Sequence, residues 1–335
     1  MNQCLNVLAH FEFSPGRHHG PVGKVLLVRL LACRLGAVIP YFRMVFLLTK
    51  HFRGRTVRKS QRLRPPAATS KIMANRLKTL LKDGQPAIGS WITFTDPYSV
   101  EMMADIGFDW LLIDTEHVPI DRQGLRTILM CMHGSSSVPV VRLASNSLDY
   151  FQTALDLGAR GVVVPMVSSR ADAIRAVRSS RYPPDGVRGF APTRASRYFQ
   201  DLDQYAAGAN DDIFVAVQIE TPESAANIDE ILTTEGVEGI YIGPSDLASF
   251  MGFPAQLGHP DVVAAVDRLM KKAVAHSMPF GLPTWSQEES MSYVQKGAQL
   301  LTVGSDLLYL ANNARRSLSG MRRLLREEVA PPARI

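Results

Sequence analysis

Cysteine is scarce in this chain of 335 residues: Cys4, Cys33 and Cys131 are scattered, with no Cys-x-x-Cys pair and no even framework. That excludes a disulfide scaffold or a cysteine-built structural zinc site and suits a reducing compartment such as the cytoplasm. Acid is nearly missing from the beginning of the chain. Residues 1–72 carry 13 Lys and Arg against one acid, Glu12, which leaves 24 basic and 30 acidic residues for the remainder. The body is therefore mildly acidic although the formal charge is +6, and binding of nucleic acid through a basic face is not indicated. Lysine is missing from every predicted strand: after Met73 only Lys78, Lys82, Lys271, Lys272 and Lys296 occur. A Schiff-base mechanism needs a lysine buried beside the reacting carbonyl, so it is disfavoured, and carbonyl polarisation falls to a metal.

An uninterrupted membrane-length apolar run is lacking as well. "VLLVRLLACRLGAVIPYFRMVFLLT" is broken by Arg29, Arg34 and Arg43, each costing roughly 2.5–3.5 kcal/mol at the centre of a membrane helix. No membrane span is expected. Residues 1–72 read as a basic, unstructured extension, or as sequence upstream of a true start at Met73. The Arg-rich, acid-poor character also resembles an organellar transit peptide, in which case the destination would be mitochondrial. The body is expected at residues 73–328, with a short tail at 329–335.

From Pro86 onward, short apolar runs alternate with amphipathic stretches. The runs are "AIGSWITF", "DWLLID", "VPVVRL", "GVVVPMV", "IFVAVQIE", "GIYIGP", "PFGLP" and "LLTVGS". Continuous apolar strands separated by helices indicate parallel β-structure covered on both faces. Eight such units over about 240 residues predict an α/β fold, a (β/α)8 TIM barrel. A doubly wound sheet is the runner-up, but no GxGxxG or GxxxxGKS follows any strand.

Active sites of such barrels lie where strands meet the following loops. The polar residues at those ends are Trp91 and Thr93, then Asp114, Glu116 and His117, then Arg142, Gln218 and Glu220, Ser245 and Asp246, and Asp306. Glu220 and Asp246 end consecutive strands, one β/α unit apart. Two such carboxylates with room for water can hold Mg²⁺ or Mn²⁺, hard ions that prefer oxygen; alternatively, Asp246 caps the next helix and Glu220 pairs with an arginine. Arg142 reads either as a barrel-core ion pair with a neighbouring acid or as a fixed charge facing a substrate oxygen. His117 reads as a capping residue, or as a general base oriented by Asp114 three residues earlier. No role is assigned to Glu116, whose side chain is placed toward the outer layer.

"GFDWLLIDTEH", "PVVR", "GVVVPMV", "RYPPDGVRG", "VQIET", "EGVEGIYIGPSDLA" and "VGSD" resemble, in order and spacing from about Gly89 to Asp306, the HpcH/HpaI aldolases, metal-dependent pyruvate aldolases acting on substrates such as 4-hydroxy-2-oxoheptanedioate, 2-keto-3-deoxy-L-rhamnonate and 5-keto-4-deoxyglucarate. The resemblance implies a barrel of the phosphoenolpyruvate/pyruvate-domain type, its last helix packed on a neighbouring subunit, in a homo-oligomer (hexamer or trimer). It implies reversible cleavage of a 4-hydroxy-2-oxo acid to pyruvate and an aldehyde through a metal-stabilised enolate, with Mg²⁺, Mn²⁺ or Co²⁺ on Glu220 and Asp246. Arg142 would contact the keto or enolate oxygen and Gln218 would assist in the same pocket. Backbone amides of Ser245 and Asp246 would hold the pyruvate carboxylate, Trp91 would wall the pocket, and Asp114 with His117 would form the acid/base couple.

Departures from the family pattern fall in "RGFAPTRASRYF", with Phe199 at a position often glycine, and at Trp285. Both leave the aldehyde acceptor open. Arg188 and Arg194 read equally as ligands for a distal carboxylate or as anchors of the loop to a neighbouring subunit. A citrate-lyase-like or malyl-CoA-type thioester lyase, and a non-catalytic pyruvate or oxaloacetate binder, are the alternative readings.

Overall fold

The computed structural model describes residues 74–329, with side chains described to residue 326. The expected extension 1–72 and residues 330–335 of the expected tail lie outside the described residues. Eight strands appear, each inside one of the predicted apolar runs: β1 (Ala87–Ile92), β2 (Trp110–Asp114), β3 (Val138–Arg142), β4 (Gly161–Val164), β5 (Phe214–Ile219), β6 (Gly239–Ile242), β7 (Phe280–Pro283) and β8 (Leu300–Ser305). They pair in parallel in sequence order, and β8 closes on β1. The predicted (β/α)8 barrel is the fold of the described residues.

Two cores follow from the two-residue repeat of a strand. Leu111 and Ile113 of β2, Val141 of β3, and Val215 and Val217 of β5 face outward into the main core beneath the helices. Trp110 and Leu112, Val138 and Val140, and Phe214 and Ala216 face inward and fill the barrel. Leu77 and Leu81 of the helix Arg76–Lys82 join that inner core and close the end opposite the mouth. The Asn75 amide fixes this plug, donating to the carbonyls of Arg160 (2.8 Å) and Asp212 (2.7 Å).

Helix starts are set by side chains that accept first-turn N–H groups: Asp96, Asp121, Ser169, Thr221 and Ser286. Such caps are each worth about 0.5–2 kcal/mol. Those at Asp96, Asp121, Ser169 and Ser286 stand a few residues after β1, β2, β4 and β7, and Thr221 two residues after β5, so they fix how much chain is left for the mouth loops.

The last helix, Asp306–Val329, begins directly at the end of β8. Asp306, a polar strand-end residue of the sequence, is engaged by the loop after β1. Its carboxylate accepts from the backbone N–H of Thr93 (2.9 Å) and Phe94 (2.9 Å) and from the Thr93 hydroxyl (2.6 Å), tying the loop after β1 to the last helix. Farther along, Leu310, Leu318, Met321 and Leu325 are exposed at helical spacing. Among the described residues, no helix is long and apolar enough to cross a membrane.

Candidate active site

The inward repeat that fills the barrel does not stop with the apolar residues. Continuing it two positions beyond Leu112 gives Asp114, beyond Val140 gives Arg142, and beyond Ala216 gives Gln218. Trp91 occupies the corresponding end of β1. All four are buried, as is Glu220 one step past β5. The mouth is thus a polar layer on an apolar plug, and burying it demands partners.

Asp114 and Arg142 are register partners on adjacent strands. Their side chains form a two-pronged ion pair, Arg142 Nε to Asp114 Oδ1 at 3.0 Å and Nη2 to Oδ2 at 2.8 Å. The guanidinium also lies over the Trp91 ring, 4.5 Å from its centroid, and Trp91 meets Tyr241 edge to face at 5.8 Å. Asp114 Oδ1 further accepts the backbone N–H groups of Glu116 (3.0 Å) and His117 (3.2 Å). One carboxylate therefore folds the loop after β2 and orients the arginine.

This corrects the expected contact between Asp114 and the imidazole of His117. Both carboxylate oxygens are taken by a planar fork held in register opposite, a geometry stronger than a single contact to a ring on a loop. The His117 side chain is more than half exposed and lies 3.7 Å from Glu116 Oε2 through Nε2. Glu116 is corrected too: its carboxylate points into the mouth and not to the outer layer, with Oε2 3.4 Å from Arg142 Nη1. That oxygen is buried and accepts no hydrogen bond. Burial pushes the Glu116 carboxyl up to about 7; Arg142 opposes the shift, while Glu220, Asp114 and Asp246 add to it.

Glu220 is held from two sides. Oε1 accepts the Met166 backbone N–H at 2.7 Å, and Oε2 accepts from the Gln218 amide. The Met166 N–H is aimed there by a left-handed backbone, φ 54°, which places a non-glycine residue in a sparsely populated conformation. Burial raises the proton affinity of Glu220 and the neighbouring Asp246 adds to it, while the two hydrogen bonds and Arg142 oppose the rise. Ser245 and Asp246 lie in the first turn of the helix Pro244–Phe250, Ser245 exposed and Asp246 half-buried. The buried Gln218 Oε1 accepts no hydrogen bond. Glu220 and Asp246 offer only hard oxygen donors, and the unpartnered Gln218 oxygen belongs to the amide that meets Glu220. This donor set fits Mg²⁺ or Mn²⁺ completed by water or substrate oxygens. Among the described residues no group of three or more His, Cys, Asp or Glu is placed to hold a metal by itself.

Space beside Glu220 depends on Gly243. A Cβ there would stand 2.9 Å from Glu220 Cβ and 3.0 Å from its Oε2. Gly243→Ala is expected to leave the barrel folded, displace the carboxylate and weaken divalent-ion binding at least tenfold, as checked by titration calorimetry with Mn²⁺.

Arg188 and Arg194 turn to their own barrel. Arg194 donates to the carbonyls of Leu129 (2.8 Å) and Leu157, capping the C-terminal ends of two helices. Arg188 is buried, donates to Asp156 at 2.6 Å and stacks on Tyr182 at 4.3 Å. Phe199, at the position often glycine in the family pattern, has φ 66°, a backbone that glycine adopts without strain.

A (β/α)8 barrel whose polar groups gather at the C-terminal ends of the strands, with no lysine on those strands, is the class of protein defined so far. The profile of the HpcH/HpaI aldolase/citrate lyase family matches residues 87–313, and the chain belongs to that family. It is 38% identical over 236 residues to the 5-keto-4-deoxy-D-glucarate aldolase of Escherichia coli O139:H28 (strain E24377A / ETEC), covering 70% of this chain and 92% of that protein. The crystal structure of an HpcH/HpaI aldolase/citrate lyase family protein from Burkholderia cenocepacia J2315 superposes with a TM-score of 0.71 at 32% identity, covering 74% of this chain and 99% of that one. An HpcH/HpaI aldolase from Desulfitobacterium hafniense DCB-2 superposes with a TM-score of 0.68 at 26% identity, covering 73% and 96%.

Proposed function

We propose that this carbon–carbon lyase reversibly cleaves a 4-hydroxy-2-oxo acid into pyruvate and an aldehyde, with Glu220 and Asp246 as the ligands of a divalent ion. The observation that carries the reading is Arg142. Its Nε and Nη2 are spent on Asp114, which leaves Nη1 as the preoriented donor facing the acidic end of the mouth.

The ion, when bound, supplies Lewis-acid polarisation of the 2-oxo group. Arg142 Nη1 donates to the same oxygen as negative charge develops there, in a site that needs no reorganisation at that moment. First-turn N–H groups of Ser245 and Asp246 hold the pyruvate carboxylate, since such groups have no partner within the helix. Trp91 walls the pocket beneath Arg142, and Gln218 fixes the orientation of Glu220. His117 takes the proton of the 4-hydroxyl group as the bond between the third and fourth carbons breaks, the aldehyde departs, and the pyruvate enolate left behind is protonated at its methylene carbon. The relatives' names make 5-keto-4-deoxy-D-glucarate a first substrate to try.

The exposed apolar stripe on the helix Asp306–Val329 supports a homo-oligomer in which a second copy covers that helix. Scattered cysteines and a free Cys131 support a cytoplasmic setting. In the 73–335 chain, Leu310→Glu combined with Met321→Glu is expected to lower the subunit number measured by light scattering.

The test is pyruvate release from a panel of 4-hydroxy-2-oxo acids, coupled to lactate dehydrogenase, with EDTA or with added Mg²⁺, Mn²⁺ or Co²⁺. Metal-dependent release that disappears in Glu220→Gln and Asp246→Asn is expected. Metal-loaded protein that binds pyruvate yet releases none from any panel member would overturn the reading in favour of a binder or a thioester lyase.

A further inference from the structure

Glu116 is the one mouth carboxylate without a task in the reaction described above. Its surroundings are specific. Thr115 leads into it with its hydroxyl on the Arg142 carbonyl at 2.6 Å, and its own N–H is held by Asp114 at 3.0 Å. The backbone on both sides of the side chain is thus pinned. The carboxylate is left with Oε2 buried, short of a hydrogen bond, and aimed between two cations or potential cations: Arg142 Nη1 at 3.4 Å and His117 Nε2 at 3.7 Å.

We propose that Glu116 is the positioning residue of His117, holding the ring through Nε2–H so that Nδ1 is the nitrogen presented to the substrate hydroxyl. At 3.7 Å the contact to the neutral ring is long for a hydrogen bond and acts as an electrostatic preference for a proton on the nitrogen that faces the carboxylate. It is an ion-pair distance once the ring carries a second proton. The interaction is therefore stronger after proton transfer than before, the condition for lowering a barrier and not merely for binding. The Nε2 proton stays on the ring, and Glu116 accepts that N–H without taking the proton. Bridging to Arg142 adds a second effect: the same oxygen sets how far the ring and the guanidinium stand apart. The charged groups around the Glu116 carboxylate are Asp114 at the end of its own strand, Arg142 from β3, Glu220 beyond β5 and Asp246 on the helix Pro244–Phe250. Only Glu116 lies within ion-pair reach of the imidazole among the described residues.

This inference deepens the aldolase reading, and its test separates the two. Histidine-selective ¹³C labelling of the metal-free protein, with His117→Gln to assign the signal, reports the neutral tautomer through the Cδ2 shift. The Nε2–H tautomer is expected to be the sole neutral form in the parent and in Glu116→Gln, which keeps an acceptor oxygen, and to fall to the mixture of a free imidazole, with a detectable Nδ1–H fraction, in Glu116→Ala. In the metal-loaded enzyme, Glu116→Ala is expected to lower kcat for pyruvate release by about 10–100-fold, part of what a general base contributes. KM and the Mn²⁺ affinity should stay within about threefold, and Glu116→Asp should recover part of kcat. An unchanged tautomer in Glu116→Ala, or an equal fall in metal affinity and kcat, would overturn the proposal. A parent enzyme that releases no pyruvate would sink the aldolase reading instead, and the tautomer measurement would still decide the role of Glu116.

Discussion

Arg142→Lys is expected to lower kcat for pyruvate release by about 10²–10³-fold, the range seen when one preorganised oxyanion donor is removed, while the protein stays folded and retains its Mn²⁺ affinity. The two parts of that expectation have different causes. A lysine keeps a positive charge near Asp114, so the buried carboxylate is not abandoned. It cannot donate to both carboxylate oxygens and still extend a third N–H into the mouth, because its charge is a point on a flexible stem and not a planar fork. The stack on Trp91 is weakened by the same change. Steady-state kinetics with the best panel substrate, beside a thermal melt and a metal titration, check all three quantities. Equal kcat in the lysine variant would mean that charge alone is needed at this position, and that the preoriented Nη1 plays no part.

Most of the fold was legible because the pattern that specifies it is local. Eight apolar runs bounded by caps become eight strands, and each predicted run contains its strand. The mouth was legible for a related reason: Asp114, Arg142 and Gln218 each sit two residues past an inward apolar position, so a two-residue repeat carried across the strand end finds them. Their pairing was not legible. Asp114 and His117 are three residues apart in sequence, but Asp114 and Arg142 are opposite each other across the sheet, and register between strands is not written in either strand alone. Glu116 was within reach of the same repeat, two positions past Asp114; the repeat was simply not extended beyond the strand. The Met166 N–H that holds Glu220 had no sequence signal, since it depends on a left-handed backbone at a methionine. Arg188 and Arg194 were found as charges, but that Arg188 would meet Asp156 and Tyr182 and Arg194 would cap two helix ends depends on how the loop folds back, and nothing local states that.

The Glu116 carboxyl makes stability depend on pH in a direction opposite to that of most acids. An acid held below its ordinary range stabilises the fold at high pH, whereas here the folded value, about 7, lies above the ordinary 4.5. Below pH 4.5 the group is protonated in both folded and unfolded chains and contributes no penalty. As pH rises through 7 the folded protein must carry the buried charge, and stability falls by at most about 3 kcal/mol. In EDTA, the parent should therefore lose stability relative to Glu116→Gln between pH 5 and pH 8, measured by urea unfolding. A difference that does not change with pH would show that the folded carboxyl titrates as it does in the unfolded chain.

Asp114→Ala should be the most destabilising single change in the mouth, by about 3–5 kcal/mol, because it leaves a buried guanidinium without its counter-ion. The loss is compound. Arg142 loses both prongs, and the N–H groups of Glu116 and His117 lose the acceptor that folds their loop. Glu116, 3.4 Å from Nη1, is the nearest remaining anion and is expected to swing toward the arginine, drawing away from His117. Activity should therefore fall together with stability. Adding Arg142→Met to Asp114→Ala removes the stranded charge and should restore part of the stability but none of the activity. Urea unfolding of the two single variants and the double variant closes the cycle. If the double variant were no more stable than Asp114→Ala, the penalty would lie in the unfastened loop and not in the unpaired arginine.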